Sequence, residues 1–475
     1  MLARYAAYGD QVNLSTAYFN KANILFNRKD YEEAGAAYDE FLRRFPDHPK
    51  QLQALYRAGL CYQRLDQAGD AVDRWETLVA IDSTAEISEL AWIRSGDLYF
   101  RAEHYDNAKR SYEGLLKHFS GSQAAGLGML RIAQCEYNAG RDEEALKLYS
   151  DVMNRFAGSQ YASEAERGME LALYRLGQRD DGSEVLTELV ERYPTSSFAA
   201  DAQFEIAMRS YNAERYEDAA EEFRRVVSQF PGFSAADRAH YLMAEAYRQA
   251  GLTRDAELSY EQFLSFFPES EFRPMVHFYL GSIRFEKGEY LRAAIDFTGI
   301  IDGEAPRDIA AAALFNMALC RRMLGESEEA RESLERYRTE YSSTDERAVD
   351  IAYQLGDIHE KAGRTKEAIE EYKRSIAAKP PEPLRIELHY RIGFCREQLE
   401  DLDGALESYR SARKAGDKRD AFRLLAVARS ASIYEQQENY KGALAAYRDL
   451  IENATDQELV VAAQERAAQI ETFVE

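Results

Sequence analysis

Residues 215–231 read RYEDAAEEFRRVVSQFP, and this stretch decides the fold because its pattern returns along the chain at a nearly fixed spacing. With Ala219 as a marker, backward steps of 37 residues land on Gly182, Ala145, Ala108, Ala71 and Ala34. Forward steps land on Ala256, Ala293 and Ala330, and then, after steps of 38, 37 and 38, on Ala368, Ala405 and Ala443. Four residues after each marker stands a bulky side chain, such as Tyr38, Trp75, Tyr112, Phe223, Tyr372 or Tyr409. Twelve residues before it stands a small one, such as Ala22, Gly59, Gly96, Ala244, Gly356 or Gly393, and Glu170 alone breaks that column. Self-similarity at this period is the mark of a repeat architecture. The spacing predicts twelve helical hairpins.

Close packing explains the columns. Two helices of a hairpin cross at about 8–10 Å between axes, so the small residue and the marker let the backbones approach. The bulky residue, one turn past the marker on the same face, is expected to fill the space between neighbouring units. Gly140, Gly177, Gly251, Gly288, Gly325 and Gly363 stand five residues before a marker, where a left-handed residue ends the first helix. Acidic residues in YEEA, DEEA and YEDA suit the positive end of the second helix. Phe45-Pro46, Tyr193-Pro194, Phe230-Pro231 and Phe267-Pro268 close units, since proline cannot continue a helix.

These columns resemble the tetratricopeptide repeat family, whose units pair two helices with small residues at the eighth and twentieth positions, an aromatic at the twenty-fourth and a closing proline. The resemblance covers essentially the whole chain. It implies an all-α fold: a right-handed α-α superhelix (solenoid) of about twelve hairpins plus a C-terminal capping helix. It also implies a recognition scaffold rather than an enzyme. The 37-residue unit, longer than the family's usual 34, and closing turns such as FPGFS and FPES are similar to those of bacterial outer-membrane assembly lipoproteins and Tol-associated periplasmic proteins.

Composition narrows the function. The chain has 475 residues, 45% apolar and 30% charged, with net charge −23. Its longest apolar run, Ile309 to Phe315, is far short of the ~20 residues of a membrane span. The acidic balance disfavours binding to nucleic acid or to an anionic membrane surface. Acids at second-helix starts and a solvated face account for most of the excess; an acidic face that selects a basic partner is the alternative. Cys61, Cys135, Cys320 and Cys395 share one column two residues after the small position. They read as buried small hydrophobes, and units two repeats apart place them beyond the ~7 Å limit for a disulfide.

Taken in order, MLARYAAYGD at residues 1–10 aligns with YDEFLRRFPD at 38–47. It is expected to be the remnant of a preceding repeat, which makes the chain a piece of a longer protein. Residues 11–379 then hold repeats one to ten. Repeat five is irregular, with Glu170 in a small slot and Gly182 at the marker. A register shift in that hairpin is one reading, and a partly buried carboxylate at a hinge or site is the other. KPPEP at 379–383 is the expected bend before repeats eleven and twelve (380–455). Extra residues fall within YSSTDERAVD and KAGDKRDAF. A capping helix is expected from Asp456 to Phe473 within 456–475, with Gln464, Glu465, Arg466, Gln469 and Glu471 on its polar side, as an array ending in water requires.

No phosphate-cradling loop, zincin motif or nucleophile elbow is present, and no catalytic, cofactor or metal site is expected. His240, His277 and His389 share a column, but equivalent atoms of neighbouring units lie too far apart for zinc ligands held at about 2.1 Å. The candidate ligand surface lies on the first helices. There an aromatic is followed by Arg or Asn: Tyr137-Asn138, Tyr174-Arg175 and Tyr211-Asn212. Aromatics and arginine dominate binding energy, and an amide both donates to and accepts from a peptide backbone. The same side chains could equally finish the inner wall. The reading is a non-catalytic scaffold binding proteins or peptides on the concave face, in a bacterial envelope assembly and periplasmic or outer-membrane-associated. The alternatives are a cytosolic adaptor or the substrate-binding arm of a larger enzyme.

Overall fold

The periodicity folds as hairpins. The computed structural model describes residues 11–341, 347–414 and 417–472, and among them the chain forms twenty-five helices and no strand. Residues 1–10, residues 342–346 and 415–416 within the two stretches that carry an extra residue, and residues 473–475 with Phe473 lie outside the described residues. The chain divides between Ala239 and His240 into two compact units. The first unit contains α1 (Gln11–Asn27), α2 (Tyr31–Arg44), α3 (Gln51–Arg64), α4 (Ala68–Ile81), α5 (Glu86–Arg101), α6 (Tyr105–Phe119), α7 (Ala125–Asn138), α8 (Asp142–Arg155), α9 (Gln160–Gly177), α10 (Ser183–Arg192), α11 (Ala199–Asn212) and α12 (Tyr216–Gln229). The division falls inside α13 (Ala236–Gln249). The second unit continues with α14 (Thr253–Phe266), α15 (Arg273–Glu286), α16 (Tyr290–Ile301), α17 (Arg307–Met323), α18 (Ser327–Tyr341), α19 (Ala348–Lys361), α20 (Thr365–Ala377), α21 (Glu382–Gln398), α22 (Leu402–Lys414), α23 (Ala421–Gln436), α24 (Tyr440–Asn453) and α25 (Gln457–Glu471). Within each unit consecutive helices pack on one another as a solenoid of hairpins.

The small slot and the bulky residue prove to be one device. A Cβ placed on Gly96, Gly356 or Gly393 would come within 2.6, 2.5 and 2.5 Å of the rings of Tyr112, Tyr372 and Tyr409. In these hairpins the bulky residue therefore seats first in the slot of its own hairpin, whereas the sequence placed it between units. Where it is tyrosine, its hydroxyl needs an acceptor once buried. Tyr38 donates to Asn23 Oδ1 at 2.6 Å, Tyr112 to Asp97 at 2.7 Å and Tyr260 to Glu245 at 2.9 Å. Tyr372 donates to Glu360 at 2.6 Å and Tyr409 to Glu397 at 2.9 Å. The acceptor often takes a guanidinium from the next first helix as well. Arg391 meets Glu360 at 3.2 Å, and Arg429 meets Glu397 at 3.1 Å.

The last helix copies that role. Tyr447 donates to Glu435, and Arg466 of α25 reaches the same carboxylate at 2.9 Å. Asp456 caps α25 by accepting from the Glu458 amide at 2.9 Å. Ala463, Ala467 and Ile470 are buried, while Gln464, Glu465, Arg466, Gln469 and Glu471 are exposed.

Hairpin turns need one left-handed residue. Gly140, Gly251, Gly288, Gly325 and Gly363 have φ between 70° and 83°, and Lys29, Asp66, Glu103, Glu214, Glu400 and Glu438 occupy the same position at 57° to 66°. A non-glycine residue there is strained by about 1–2 kcal/mol. Glu214→Gly is accordingly expected to stabilise the first unit by about 0.5–1 kcal/mol, after the extra freedom glycine gives the unfolded chain; a higher urea midpoint checks it.

Gly177 does not follow this rule. It is the last residue of the 18-residue α9, and a Cβ there would strike Leu186. Gly182 caps α10, which has only 10 residues, and a Cβ there would lie 2.5 Å from the Gly177 carbonyl oxygen. Both irregularities of repeat five thus have one cause, a tight turn and a shifted register that seats Leu186 against Gly177. Glu170 is left half-exposed and accepts from Ser196 Oγ at 2.7 Å.

Candidate functional site

The six candidate side chains lie on α7, α9 and α11, the first helices of repeats four to six. Two of them meet. The Arg175 guanidinium carbon lies 3.7 Å from the centre of the Tyr137 ring, and Arg175 also donates to the Tyr137 carbonyl. Its Nε donates to Asp142 Oδ1 at 2.8 Å, and the Asp142 carboxylate is buried. This is a charge-assisted bond in a desolvated place, about twice as strong as a neutral one. Arg175 therefore ties repeat five to repeat four.

The other four side chains have separate neighbours. Tyr174 stacks on Phe198 with ring centres 5.0 Å apart. Burial, with the charges of Asp201 and Glu205, raises its hydroxyl above the ordinary tyrosine pKa. Tyr211 meets Tyr216 edge to face at 5.4 Å. Asn138 is exposed and donates to the Gln134 carbonyl of its own helix at 2.7 Å, and Asn212 is exposed.

The Tyr211–Tyr216 pair belongs to a series. Phe26–Tyr31, Phe100–Tyr105 and Phe285–Tyr290 repeat it with centres 5.8, 5.6 and 5.3 Å apart. An aromatic near the end of the first helix meets the first residue of the second helix and pins the turn between them. The sequence carries this signal as two aromatics five residues apart around the hairpin turn. Part of the aromatic column is therefore committed to closing its own hairpin, and the amides of Asn138 and Asn212 are exposed beside half-buried rings.

The remaining reactive groups are structural. The four cysteines are buried and free, and burial pushes Cys61, Cys135 and Cys395 up to about 12 and Cys320 to about 11. The histidine column splits: His240 lies among Phe263, Phe266 and Phe267, whereas His277 Nδ1 is 3.4 Å from Asp296. Among the described residues no three His, Cys, Asp or Glu gather as metal ligands, and no helix is long and apolar enough to cross a membrane.

Profiles described as tetratricopeptide repeat match residues 13–83, and also 93–158, 171–234, 241–309 and 324–383. No curated protein matches the chain. Among solved structures, yeast Tom70 is 11% identical, covering 98% of this chain and 96% of its own at a TM-score of 0.31. A crystal structure of MamA is 21% identical over 36% of this chain and 92% of its own, with a TM-score of 0.31. The Pseudomonas aeruginosa pilF structure is 14% identical over 45% and 90%, with a TM-score of 0.34. Those likenesses are loose, and the assignment rests on the profiles: with most of its length matched in register, this chain belongs to the tetratricopeptide repeat family.

Proposed function

We propose that the array is a non-catalytic scaffold that binds partner proteins or peptides along the first helices of its first unit, in a bacterial envelope assembly. The family supports the general role of holding other proteins. The observation that carries the surface is the row on α7, α9 and α11. There, half-buried Tyr137 and Tyr211 stand next in sequence to the exposed amides of Asn138 and Asn212, groups able to pair with a peptide backbone. The envelope location rests on the 37-residue period and the FP-x-x-S turns, and makes the protein periplasmic or outer-membrane-associated.

A pull-down from envelope and cytosolic fractions of the source organism tests both parts. The wild type is expected to retain envelope proteins, identified by mass spectrometry. Tyr137→Ala/Tyr174→Ala/Tyr211→Ala is expected to lose them while keeping a helical circular-dichroism spectrum. Those tyrosines also pack internally, so Asn138→Ala/Asn212→Ala serves as the variant that leaves the fold intact; it should weaken capture about tenfold, the scale of one lost ~1.4 kcal/mol of contact. Undiminished capture by both variants would discard the surface. Retention of cytosolic chaperones alone would favour an adaptor, and of a soluble enzyme alone, an enzyme's substrate-binding arm.

A further inference from the structure

Among the described residues, four arginines on neighbouring first helices of the first unit make no ion pair. Arg57 and Arg64 stand on α3 and Arg94 and Arg101 on α5, each pair seven residues apart and so on one helix face two turns apart. The helices are adjacent: Arg94 Nε donates to the Tyr56 hydroxyl at 2.8 Å and its Nη1 to Gln63 Oε1 at 3.2 Å, both on α3. Arg57 lies 5.9 Å above the Phe26 ring and donates to the Asn23 amide oxygen. All these partners are neutral, so they orient the guanidinium planes and leave the charge. Arg64 and Arg101 are exposed.

Among the described residues none of the four reaches a carboxylate. Asp97, the acid on α5 nearest to Arg94 and Arg101, is engaged by the Tyr112 hydroxyl at 2.7 Å and Arg131 at 3.9 Å. Many other arginines in the unit are neutralised, as Arg74 is by Asp39 at 2.8 Å and Arg141 by Asp106 at 2.9 Å. The net charge of the chain is −23, yet α1 and α3 hold Lys21, Arg57 and Arg64 and no acidic residue, while α5 places Glu86 and Glu89 in its first turn, away from Arg101, and Asp97 in its pairing with Arg131. A cationic face on an acidic protein selects its partner by charge complementarity.

We propose that the α3–α5 face binds an extended acidic segment of a partner protein, with carboxylates meeting Arg57, Arg64, Arg94 and Arg101. The inference rests on the scaffold reading. Guanidinium groups held flat by aromatic and amide neighbours are pre-organised for two-point contact with carboxylates. Seven residues of helix span about 10 Å, and neighbouring helix axes lie about 8–10 Å apart. A chain in the extended polyproline II conformation has three residues per turn and rises about 9 Å in that turn, so an acid at every third position puts carboxylates on one side at the spacing of the grid.

The probe is a fluorescein-labelled peptide with glutamate at every third residue, compared with its glutamine counterpart by fluorescence polarisation. The acidic peptide is expected to bind at least about tenfold tighter, with the advantage fading as salt rises towards about 0.3 M. Arg64→Glu/Arg101→Glu, which disturbs no packed contact, is expected to abolish the preference with at most a small fall in the urea midpoint, since both arginines sit in the last turn of their helices. Equal or absent binding of both peptides, an unaffected double variant, or displacement by an oligonucleotide of equal charge at the same concentration would overturn the proposal. The same double variant used as bait separates the two ideas: capture equal to wild type leaves the scaffold standing and removes this face, whereas no capture by wild type removes the scaffold.

Discussion

Tyr372→Ala is expected to destabilise the second unit by about 3–5 kcal/mol, the range for emptying a site of aromatic size in a core. The ring is fully buried and fills the slot above Gly356, where it lies too close for any side chain. Its removal leaves a cavity between α19 and α20. Tyr372→Phe keeps the ring and loses the 2.6 Å bond to Glu360 and the weak 3.5 Å bond the hydroxyl accepts from Arg391. That change is expected to cost about 1 kcal/mol, because Glu360 still meets Arg391 at 3.2 Å. Both tryptophans, Trp75 and Trp92, lie in the first unit, so indole fluorescence reports that unit and circular dichroism reports both. Tyr372→Ala should shift the dichroism transition in urea. A cost below about 1.5 kcal/mol, no larger than an ordinary substitution, would contradict the slot as the source of stability.

The second large effect is a loss of stability in mild acid, carried by His240. Its side chain is 1% exposed, both ring nitrogens lack partners, and burial alone lowers its pKa from 6.5 to about 4. The folded state therefore holds the neutral ring while the unfolded state takes up a proton below 6.5, so stability falls as pH falls from about 6.5 towards 4. The full drop is about 3 kcal/mol. His359 and His389, also lowered by burial, act in the same direction. His240→Leu should flatten most of the curve between pH 6.5 and about 4.5, above the range where carboxylates titrate. It should also raise stability at neutral pH, where two unpaired nitrogens no longer need burying. An unchanged pH profile in the variant would show that His240 is hydrated in the folded state.

Much of the fold was legible because close packing leaves a mark at single positions. A small residue twelve before the marker and a bulky one four after it are two halves of one contact, and their recurrence fixed hairpins and register. The left-handed turn was legible only where glycine occupies it. At Glu103 or Glu214 the same backbone is imposed by the helices on either side, which overrides the residue's own preference. Gly177 looked like one of those turns and is helical, because the glycine there makes room for Leu186. Repeat five was flagged by composition, but only the seating of Leu186 against Gly177 explains the flag. The candidate surface was less legible. An aromatic column says that rings recur, not which neighbour each meets, and Tyr211 pins its own hairpin while Tyr137 lies beneath Arg175. The link through buried Asp142 was hidden because an acid at a helix start reads first as a cap.

The most direct test of partner binding along the first helices is hydrogen–deuterium exchange of the chain alone and with a partner retained from the envelope fraction. Slower exchange on partner addition is expected in α3, α5, α7, α9 and α11, with α4, α6, α8, α10 and α12 unchanged. Protection confined to the second helices, or to the second unit, would contradict the account.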